Sequence, residues 1–200
     1  MVVAVTSIRP ISRETAQPAP ADEARLLRSR LGMFATGVCI VLVDRDGAPT
    51  PAGVTVNSFT SVSLDPPLLL WCLKSGSPRR ADIETSRLYS INVLARGQDE
   101  TALAFARRLD LITDPDALGL VRGDAGVWSV EGALATFTVR PSRTIEAGDH
   151  MMYLVELVDH SGQTGEPLLF FGGQFRALAE SAPPRPEARL LEAMLAHEWY

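Results

Sequence analysis

The chain has 200 residues, 46% of them hydrophobic and 22% charged, which is typical of one globular domain with its own core. Its formal net charge of −5 gives no support to a nucleic-acid partner, because the overall field repels a phosphate backbone. No apolar run is long enough to cross a bilayer, so we expect no membrane partner.

The first elements in chain order are a lead-in, a helix and a buried strand. Residues 1–21 are predicted to be a flexible lead-in with several prolines; its apolar start lacks a basic leading region, so we expect no secretion signal. Residues 22–31 have helical spacing and an acidic start, and we expect this helix to pack on a β-barrel. The β-branched run at 38–43 predicts a strand that ends at a turn, 44–47.

The middle of the chain predicts strands on either side of a polar loop. Strand structure is expected at 52–63, and a buried strand at 68–73. The basic loop at 74–80 is followed by a short helix at 81–86 and a strand at 89–94.

The second half is predicted to contain two helices and three strands. Residues 101–109 have helical spacing, and residues 110–124 are predicted to form a loop. A proline-rich break at 181–186 precedes a predicted amphipathic helix at 187–200. The strands are predicted at 133–140, 151–158 and 168–171.

Many short strands with few helices predict an all-β fold with peripheral helices, a β-barrel with α+β character. We expect the barrel to be closed or partly closed, because closure removes exposed strand edges. Cys39 and Cys72 both lie in apolar runs, which favours core thiols over a disulfide framework. The expected compartment is therefore the cytoplasm.

The segment Val54–Leu64 places short polar side chains in a mostly apolar stretch. Thr55 and Asn57 share one face of an extended strand, and Ser61 and Ser63 share another. This spacing suits an anionic, hydrogen-bonding ligand, because buried hydroxyls without partners are costly. The alternative is that these are ordinary strand and turn hydroxyls bonded to nearby backbone.

A longer ordered motif extends from this segment. Its centre is Gly53-x-Thr55-x-Asn57-Ser58-Phe59-x-Ser61-Val62-Ser63-x-x-Pro66-Pro67. The pieces around it are Phe34-Ala35-Thr36-Gly37-Val38, Ser77, Ile91-Asn92-Val93-Leu94-Ala95, Gln98, Phe105-Ala106, Gly132-Ala133-Leu134-Ala135, Gly148-Asp149-His150 and Pro167-Leu168-Leu169-Phe170-Phe171-Gly172-Gly173. In this order they resemble the flavin reductase-like, FMN-binding split-barrel family over roughly residues 22–178.

The resemblance implies a homodimeric split barrel that binds FMN or FAD. The domain would comprise residues 22–178, followed by a break and helix at 179–200. The donors to the flavin phosphate would be Thr55, Asn57, Ser58, Ser61, Ser63, Lys74 and Ser77, with Arg79 and Arg80 as further candidates. The flavin ring would lie near backbone at Thr36, Gly37, Val38, Val54, Thr55, Val56 and Asn57, with Val62 and Phe105 completing the set; Gly37 permits close approach or else marks a bulge.

His150 and Asp149 are the catalytic candidates that the resemblance implies. His150 would position the hydride donor or steady negative charge on reduced flavin, and Asp149 would orient His150 or hold the turn. Hydride transfer needs alignment more than a general base, so no catalytic triad is required. The sequence shows no Rossmann fingerprint and no Cys or His pair at zinc spacing, so a nicotinamide would sit transiently on the flavin and no metal is expected.

Three functions remain open at this point. The resemblance implies a flavin reductase that passes hydride from NADH or NADPH to FMN or FAD and supplies reduced flavin to a separate monooxygenase. Departures from the family pattern at Val155, Phe171, Gln174 and Phe175 leave room for a flavoenzyme that acts directly on an organic substrate. The third alternative is a non-catalytic flavin-binding protein.

Overall fold

The computed structural model describes residues 21–45, 48–106, 114–123 and 126–179. The predicted lead-in before residue 21, the break at 181–186 and the helix at 187–200 lie outside the described residues. Within the described residues, no helix has the length and apolar character needed to span a membrane.

The described chain contains twelve strands, three α-helices and one short 3-10 helix. In chain order they are α1 (Ala21–Leu31), β1 (Thr36–Gly37), β2 (Cys39–Val43), β3 (Ala52–Val56), β4 (Thr60–Leu64), β5 (Pro67–Lys74), α2 (Arg80–Thr85), β6 (Tyr89–Val93), α3 (Asp99–Ala106), the 3-10 helix (Asp116–Leu118), β7 (Leu120–Arg122), β8 (Trp128–Val130), β9 (Ala135–Ala147), β10 (His150–Gly162), β11 (Leu169–Phe171) and β12 (Gln174–Arg176). The mostly-β fold with peripheral helices is as predicted.

Seven strands form one antiparallel sheet in the order β3-β2-β6-β9-β10-β5-β4. The sheet curls so that β3 approaches β5, yet no backbone ladder joins these two strands in the described structure. The hydroxyl of Ser58 spans the gap: its Oγ accepts the Cys72 N–H at 2.9 Å and donates to the Cys72 carbonyl at 3.2 Å. The barrel is therefore split, and the split lies between β3 and β5.

The interior of the curled sheet is filled by aromatic and branched side chains. Trp71 is fully buried and stacks on Tyr153, with ring centroids 4.6 Å apart. Its indole N–H donates to the Tyr89 hydroxyl at 3.1 Å, so the polar tips of this cluster are paired. The five residues of β2 are all buried, because both faces of this strand are covered.

A second apolar layer lies outside β2 and β3. Phe105 of α3 packs there together with Leu42 and Leu94. Gly53 makes this packing possible, because a Cβ at this position would lie 2.5 Å from Cδ1 of the Phe105 ring. Helix α3 is thereby fixed against the strand that borders the split.

Several predicted elements need correction. The segment 110–124 is not all loop: its described residues include the 3-10 helix and β7, which pairs with β8. Strands β9 and β10 have 13 residues each, longer than the predicted 133–140 and 151–158, because the hairpin extends beyond β6. Strands β8 and β12 had no predicted counterpart. Both strands are short and pair with other short strands. Neither therefore contains a long apolar run from which a strand could be predicted.

The predicted helix at 22–31 is confirmed, but its predicted packing on the barrel is wrong for this chain alone. Its side chains are exposed or half-exposed throughout the described helix, including Leu26, Leu27 and Leu31. The end of the helix is attached to the rest of the chain by a hydrogen bond from the Gly172 N–H to the Gly32 carbonyl, at 2.8 Å.

Candidate functional site

An open cleft of about 320 Å³ lies in the split between β3 and β5. One wall is formed by β3 and the two residues after it, and the other by the end of β5 and the turn that follows. Helix α3 and the start of β10 complete the cleft. The lining residues are Gly53, Val54, Thr55, Val56, Asn57, Ser58, Cys72, Leu73, Lys74, Gly76, Ser77, Pro78, Arg79, Phe105, Ala106 and His150.

Two of the hydroxyls in the cleft already donate to backbone carbonyls. Thr55 Oγ1 donates to the Ala102 carbonyl at 2.6 Å, which ties α3 to β3. Ser58 donates to the Cys72 carbonyl, as described above. A hydroxyl has one hydrogen to donate, so in this arrangement both side chains can only accept from a ligand. The local-bonding alternative therefore holds for the side chains of Thr55 and Ser58.

The free donors in the cleft lie at the ends of β3 and β5. The Asn57 amide is exposed and makes no side-chain hydrogen bond within the described residues. Ser77 Oγ accepts the Arg79 N–H at 3.3 Å and keeps its own hydrogen to donate. Lys74 is an exposed cation at the end of β5. An amide, a hydroxyl and an ammonium group converge here, a donor set that suits a phosphate.

His150 lies at the mouth of the cleft next to this donor set. It is the register partner of Lys74 across the β5–β10 pair, and its Nδ1 is 2.8 Å from Asp149 Oδ1. The contact with His150, together with the charges of His150 and Lys74, lowers the pKa of Asp149. The carboxylate therefore stays ionised and can hold the imidazole in one orientation. Asp149 itself does not line the cleft.

A smaller apolar slot of about 170 Å³ continues from the cleft. Phe170 and Phe175 meet edge to face there, with ring centroids 5.9 Å apart, and Val38 lies beside them. The slot shares lining residues with the cleft: Thr55, Val56, Asn57 and Ala106. The combined site has donors and a cation at one end and an aromatic slot at the other, which fits a flat ring that carries a phosphate.

The structure brings together most of the side chains that the sequence predicted. Ten of them line the cleft or the slot: Val38, Val54, Thr55, Val56, Asn57, Ser58, Lys74, Ser77, Phe105 and His150. Thr36 and Gly37 directly precede Val38 without lining either space, and a Cβ on Gly37 would meet only open space. Arg79 lines the cleft, whereas Arg80 pairs with Glu84 at 2.8 Å.

Ser61, Val62 and Ser63 lie elsewhere, on the edge strand β4. Ser61 and Ser63 border a separate groove, and Val62 is 51% exposed. The side chain of Ser63 accepts the Asp65 N–H at 3.2 Å, a local turn bond. Their predicted contact with flavin stays a prediction that this single chain does not support.

The sequence did not predict contacts of Cys72, Ala106 and Phe170 with the site, whereas Phe175 had been noted only as a departure from the family pattern. Cys72 lines the cleft, and burial raises its pKa, opposed in part by the hydrogen bond to Ser58. Only alternation along β5 could have indicated that Cys72 and Lys74 share a face. No group of three or more His, Cys, Asp or Glu side chains that could hold a metal occurs in the described ranges.

Comparison with known proteins gives a consistent result. The family model named "Flavin reductase like domain" matches residues 31–179. FMN reductase (NADH) SmoA of Agrobacterium fabrum is 37% identical over 154 residues, 77% of this chain and 86% of that protein. The reductase subunit HsaB of a flavin-dependent monooxygenase of Rhodococcus jostii is 33% identical over 190 residues, 92% of this chain and 94% of that protein.

Among solved structures, the Streptomyces globisporus NADH:FAD oxidoreductase SgcE6, in complex with NAD and FAD fragments, superposes with a TM-score of 0.74. It is 34% identical in sequence, and the match covers 84% of this chain and 100% of that chain. The fold of this chain therefore matches that of a protein whose structure holds fragments of NAD and FAD.

Proposed function

The chain belongs to the flavin reductase-like domain family, and we propose that it is an NADH-dependent flavin reductase whose product, reduced flavin, serves a separate monooxygenase. The observation that carries this proposal is the joined cleft and slot between β3 and β5, with phosphate donors at one end and an aromatic slot at the other. SmoA and SgcE6 support NADH as donor and FMN or FAD as acceptor, and HsaB supports the monooxygenase partner.

The flavin phosphate would be held at the ends of β3 and β5. Lys74 supplies the positive charge, and the side chains of Asn57 and Ser77 supply hydrogen-bond donors. Thr55 and Ser58 contribute through backbone and by fixing the walls, because their hydroxyl hydrogens are already donated. Lys74 ends β5, Asn57 directly follows β3, and Ser77 lies in the turn after β5, so the three groups are positioned by the ends of the two strands that border the split.

The ring system would lie toward the slot. Its apolar edge suits Val38, Phe170 and Phe175, and backbone of β3 is available to its pyrimidine edge. Three of the four departures from the family pattern do not line this slot: Val155 is fully buried in the interior, Gln174 is exposed, and Phe171 does not border the slot. Phe175 does line it and makes it more apolar.

The flavin, when bound, supplies the chemistry of accepting a hydride from NADH, which leaves as NAD⁺. The chain's own contribution is alignment. His150 lies at the mouth of the cleft, held by Asp149, where it can contact either the donor or the edge of the flavin. No further acid or base is needed, since a hydride moves with its electron pair.

The assembly and compartment belong to the same proposal. We infer a homodimer, because α1 exposes large apolar side chains that a monomer in water leaves uncovered. We infer the cytoplasm, because Cys39 and Cys72 are both free thiols and reduced nicotinamide is available there.

The test is steady-state NADH oxidation with FMN, with FAD and without added flavin. We expect turnover that depends on added flavin, and bleaching of the flavin absorbance when NADH is added without oxygen. NADH oxidation that stays at background with both flavins would contradict the proposal.

A second candidate function is favoured by the aromatic slot. Phe170 and Phe175 could contact an apolar organic substrate next to a tightly held flavin. Purified protein that is yellow and that NADH fails to bleach would favour this function over the first.

A further inference from the structure

Helix α2 follows directly on the turn that forms one wall of the cleft, and it is too short to be stable by itself. The helix has six residues, Arg80–Thr85, and the residues just before it, from Gly76 onward, line the cleft. An isolated helix of this length is unstable in water, because nucleation is costly and few hydrogen bonds offset it. The position of α2 therefore depends on its contacts with the rest of the chain.

Two side chains of α2 attach it to the curled sheet. Ile83 is 2% exposed and packs into the interior cluster. Glu84 faces β10, where the hydroxyl of Tyr153 donates to its Oε1 at 3.3 Å. The Nε–H of Arg80 donates to the same oxygen at 2.8 Å. The two donors hold the Glu84 carboxylate between the helix and the strand, and a carboxylate acceptor strengthens both contacts.

Tyr153 is a rigid attachment point for this helix. It is 3% exposed, stacks on Trp71 and is the register partner of Trp71 across the β5–β10 pair. The Lys74–His150 pair lies three residues further along the same two strands. Burial, followed by the nearby Glu84 carboxylate, raises the pKa of Tyr153 to about 12, so its hydroxyl keeps the hydrogen that it donates. Helix α2 is thus attached to the strands that carry Lys74 and His150.

Backbone hydrogen bonds connect the start of α2 to the phosphate end of the cleft. The Ile83 N–H donates to the Arg79 carbonyl at 3.1 Å, and the Arg80 N–H donates to the Ser77 carbonyl at 3.2 Å. The Ser77 N–H in turn donates to the Lys74 carbonyl at 2.9 Å. A displacement of α2 would therefore move Ser77 relative to Lys74, two of the three groups that supply donors to the phosphate.

We propose that Tyr153 is a positioning residue for the flavin phosphate: its contact with Glu84 fixes α2, and α2 fixes the turn that carries Ser77. Tyr153 itself does not line the cleft, so it acts on the ligand only through these neighbours. A binding group is effective when a second set of contacts locks its geometry, and a small displacement weakens it. The inference rests on the proposed function and adds a residue that shapes the phosphate end of its site.

The test compares substitutions that remove single groups of this connection. Tyr153→Phe removes only the hydroxyl, and Glu84→Ala removes its acceptor. Tyr89→Phe is the matched control, because Tyr89 is fully buried in the same aromatic cluster but its hydroxyl accepts the indole N–H of Trp71. Fluorescence titration measures the dissociation constants of FMN and of riboflavin, which lacks the phosphate. Steady-state NADH oxidation gives KM and kcat for FMN, and urea unfolding reports stability.

We expect Tyr153→Phe and Glu84→Ala each to raise the FMN dissociation constant about 3- to 10-fold and to raise KM for FMN in parallel. The riboflavin dissociation constant and kcat at saturating FMN should not change. Tyr89→Phe should be less stable than the wild type, because the Trp71 N–H loses its partner, yet it should bind FMN as the wild type does. FMN affinity that is unchanged in Tyr153→Phe, or that falls equally in Tyr89→Phe or for riboflavin, would overturn the proposal.

A double variant tests whether the effect passes through Ser77. If Tyr153 acts by positioning Ser77, Tyr153→Phe combined with Ser77→Ala should bind FMN no more weakly than Ser77→Ala alone. Losses that multiply in the double variant would overturn this route. Wild type without flavin-dependent NADH oxidation would contradict the proposed function, whereas active wild type with unchanged FMN affinity in Tyr153→Phe would contradict the positioning role alone.

Discussion

Lys74 and His150 lie directly opposite each other on the antiparallel strands β5 and β10, and both line the same cleft. Their register places an ammonium group beside an imidazole in the cleft. In the proposed function, Lys74 meets the flavin phosphate and His150 aligns the reacting groups. The next residue along the turn reinforces the arrangement, since the Ser75 N–H donates to the Asp149 carbonyl at 2.9 Å. In the proposed function, flavin binding and hydride alignment therefore depend on one pair of strands, and each can be tested by itself.

Replacing Lys74 with glutamine should weaken FMN binding about tenfold, or about 1.4 kcal/mol, because one charge-assisted contact to the phosphate is lost. Fluorescence titration of FMN measures the dissociation constant. Riboflavin, which lacks the phosphate, is the matched control ligand and should bind wild type and variant equally. Equal losses for FMN and riboflavin would mean that Lys74 does not meet the phosphate.

Replacing His150 with asparagine should lower kcat with NADH by about 10- to 100-fold, with little change in FMN affinity, because the donor loses its alignment. Asp149→Asn should have a smaller effect in the same direction. The pKa of Asp149 is lowered, so its orienting charge persists from about pH 5 to about pH 8 and is lost only as pH falls through that lowered pKa. At pH 7 the carboxylate is ionised, so Asp149→Asn should have a lower kcat than the wild type; equal kcat values for the two proteins would count against this role.

Comparing Asn57→Ala with Ser61→Ala distinguishes flavin binding in the cleft from flavin binding along the edge strand β4. Asn57 borders both the cleft and the slot, whereas Ser61 borders only the groove at β4. We expect Asn57→Ala to raise the flavin dissociation constant about 5- to 10-fold and Ser61→Ala to leave it unchanged. The reverse order would show that flavin binds along β4 rather than in the split.

Gly53→Ala should destabilise the protein by about 1–3 kcal/mol and reduce flavin affinity, because the added Cβ forces Phe105 away from β3. Gly76→Ala is the matched control: it also lines the cleft, but its Cβ would meet no atom within 4 Å. Urea unfolding with each variant gives the free energy of unfolding. Equal stability of the two variants would refute the packing role of Gly53.

Ionisation of Tyr153 is expected to reduce the stability of the folded protein at high pH. Burial, with help from the nearby Glu84 carboxylate, raises the pKa of Tyr153 to about 12, while an unfolded tyrosine titrates near pH 10. The folded state favours the protonated form, so this contribution is complete below about pH 10 and is lost as pH rises toward 12. Tyr153→Phe should show a shallower decline in urea-unfolding midpoint above about pH 10; a decline as steep as that of wild type would contradict this assignment.

The sequence predicted those parts of the fold and site that depend on neighbouring residues. Continuous apolar runs identified β2 and β5, a strand was also predicted where β6 lies, and the spacing around Thr55 and Asn57 identified one wall of the cleft. Local patterning works there because each strand is buried along its whole length or alternates regularly.

The other parts of the fold and of the site depend on long-range contacts, which local sequence patterns do not indicate. Strand β9 continues past its buried part with exposed residues from Arg140 onward, so its length is set by pairing with β10. A register shift between Ser61 and Ser63 accompanies the pairing of β4 with the far side of β5, which directs these hydroxyls away from the split. The hydroxyls of Thr55 and Ser58 are used within the chain by Ala102 and Cys72, which lie 47 and 14 residues away.

The most direct test of the account is a crystal structure of the protein grown with excess FMN. We expect density for the phosphate beside Lys74, Asn57 and Ser77, and density for the ring between β3 and the slot formed by Phe170 and Phe175. Flavin bound at another surface, with the split between β3 and β5 filled by the protein's own side chains, would contradict the account.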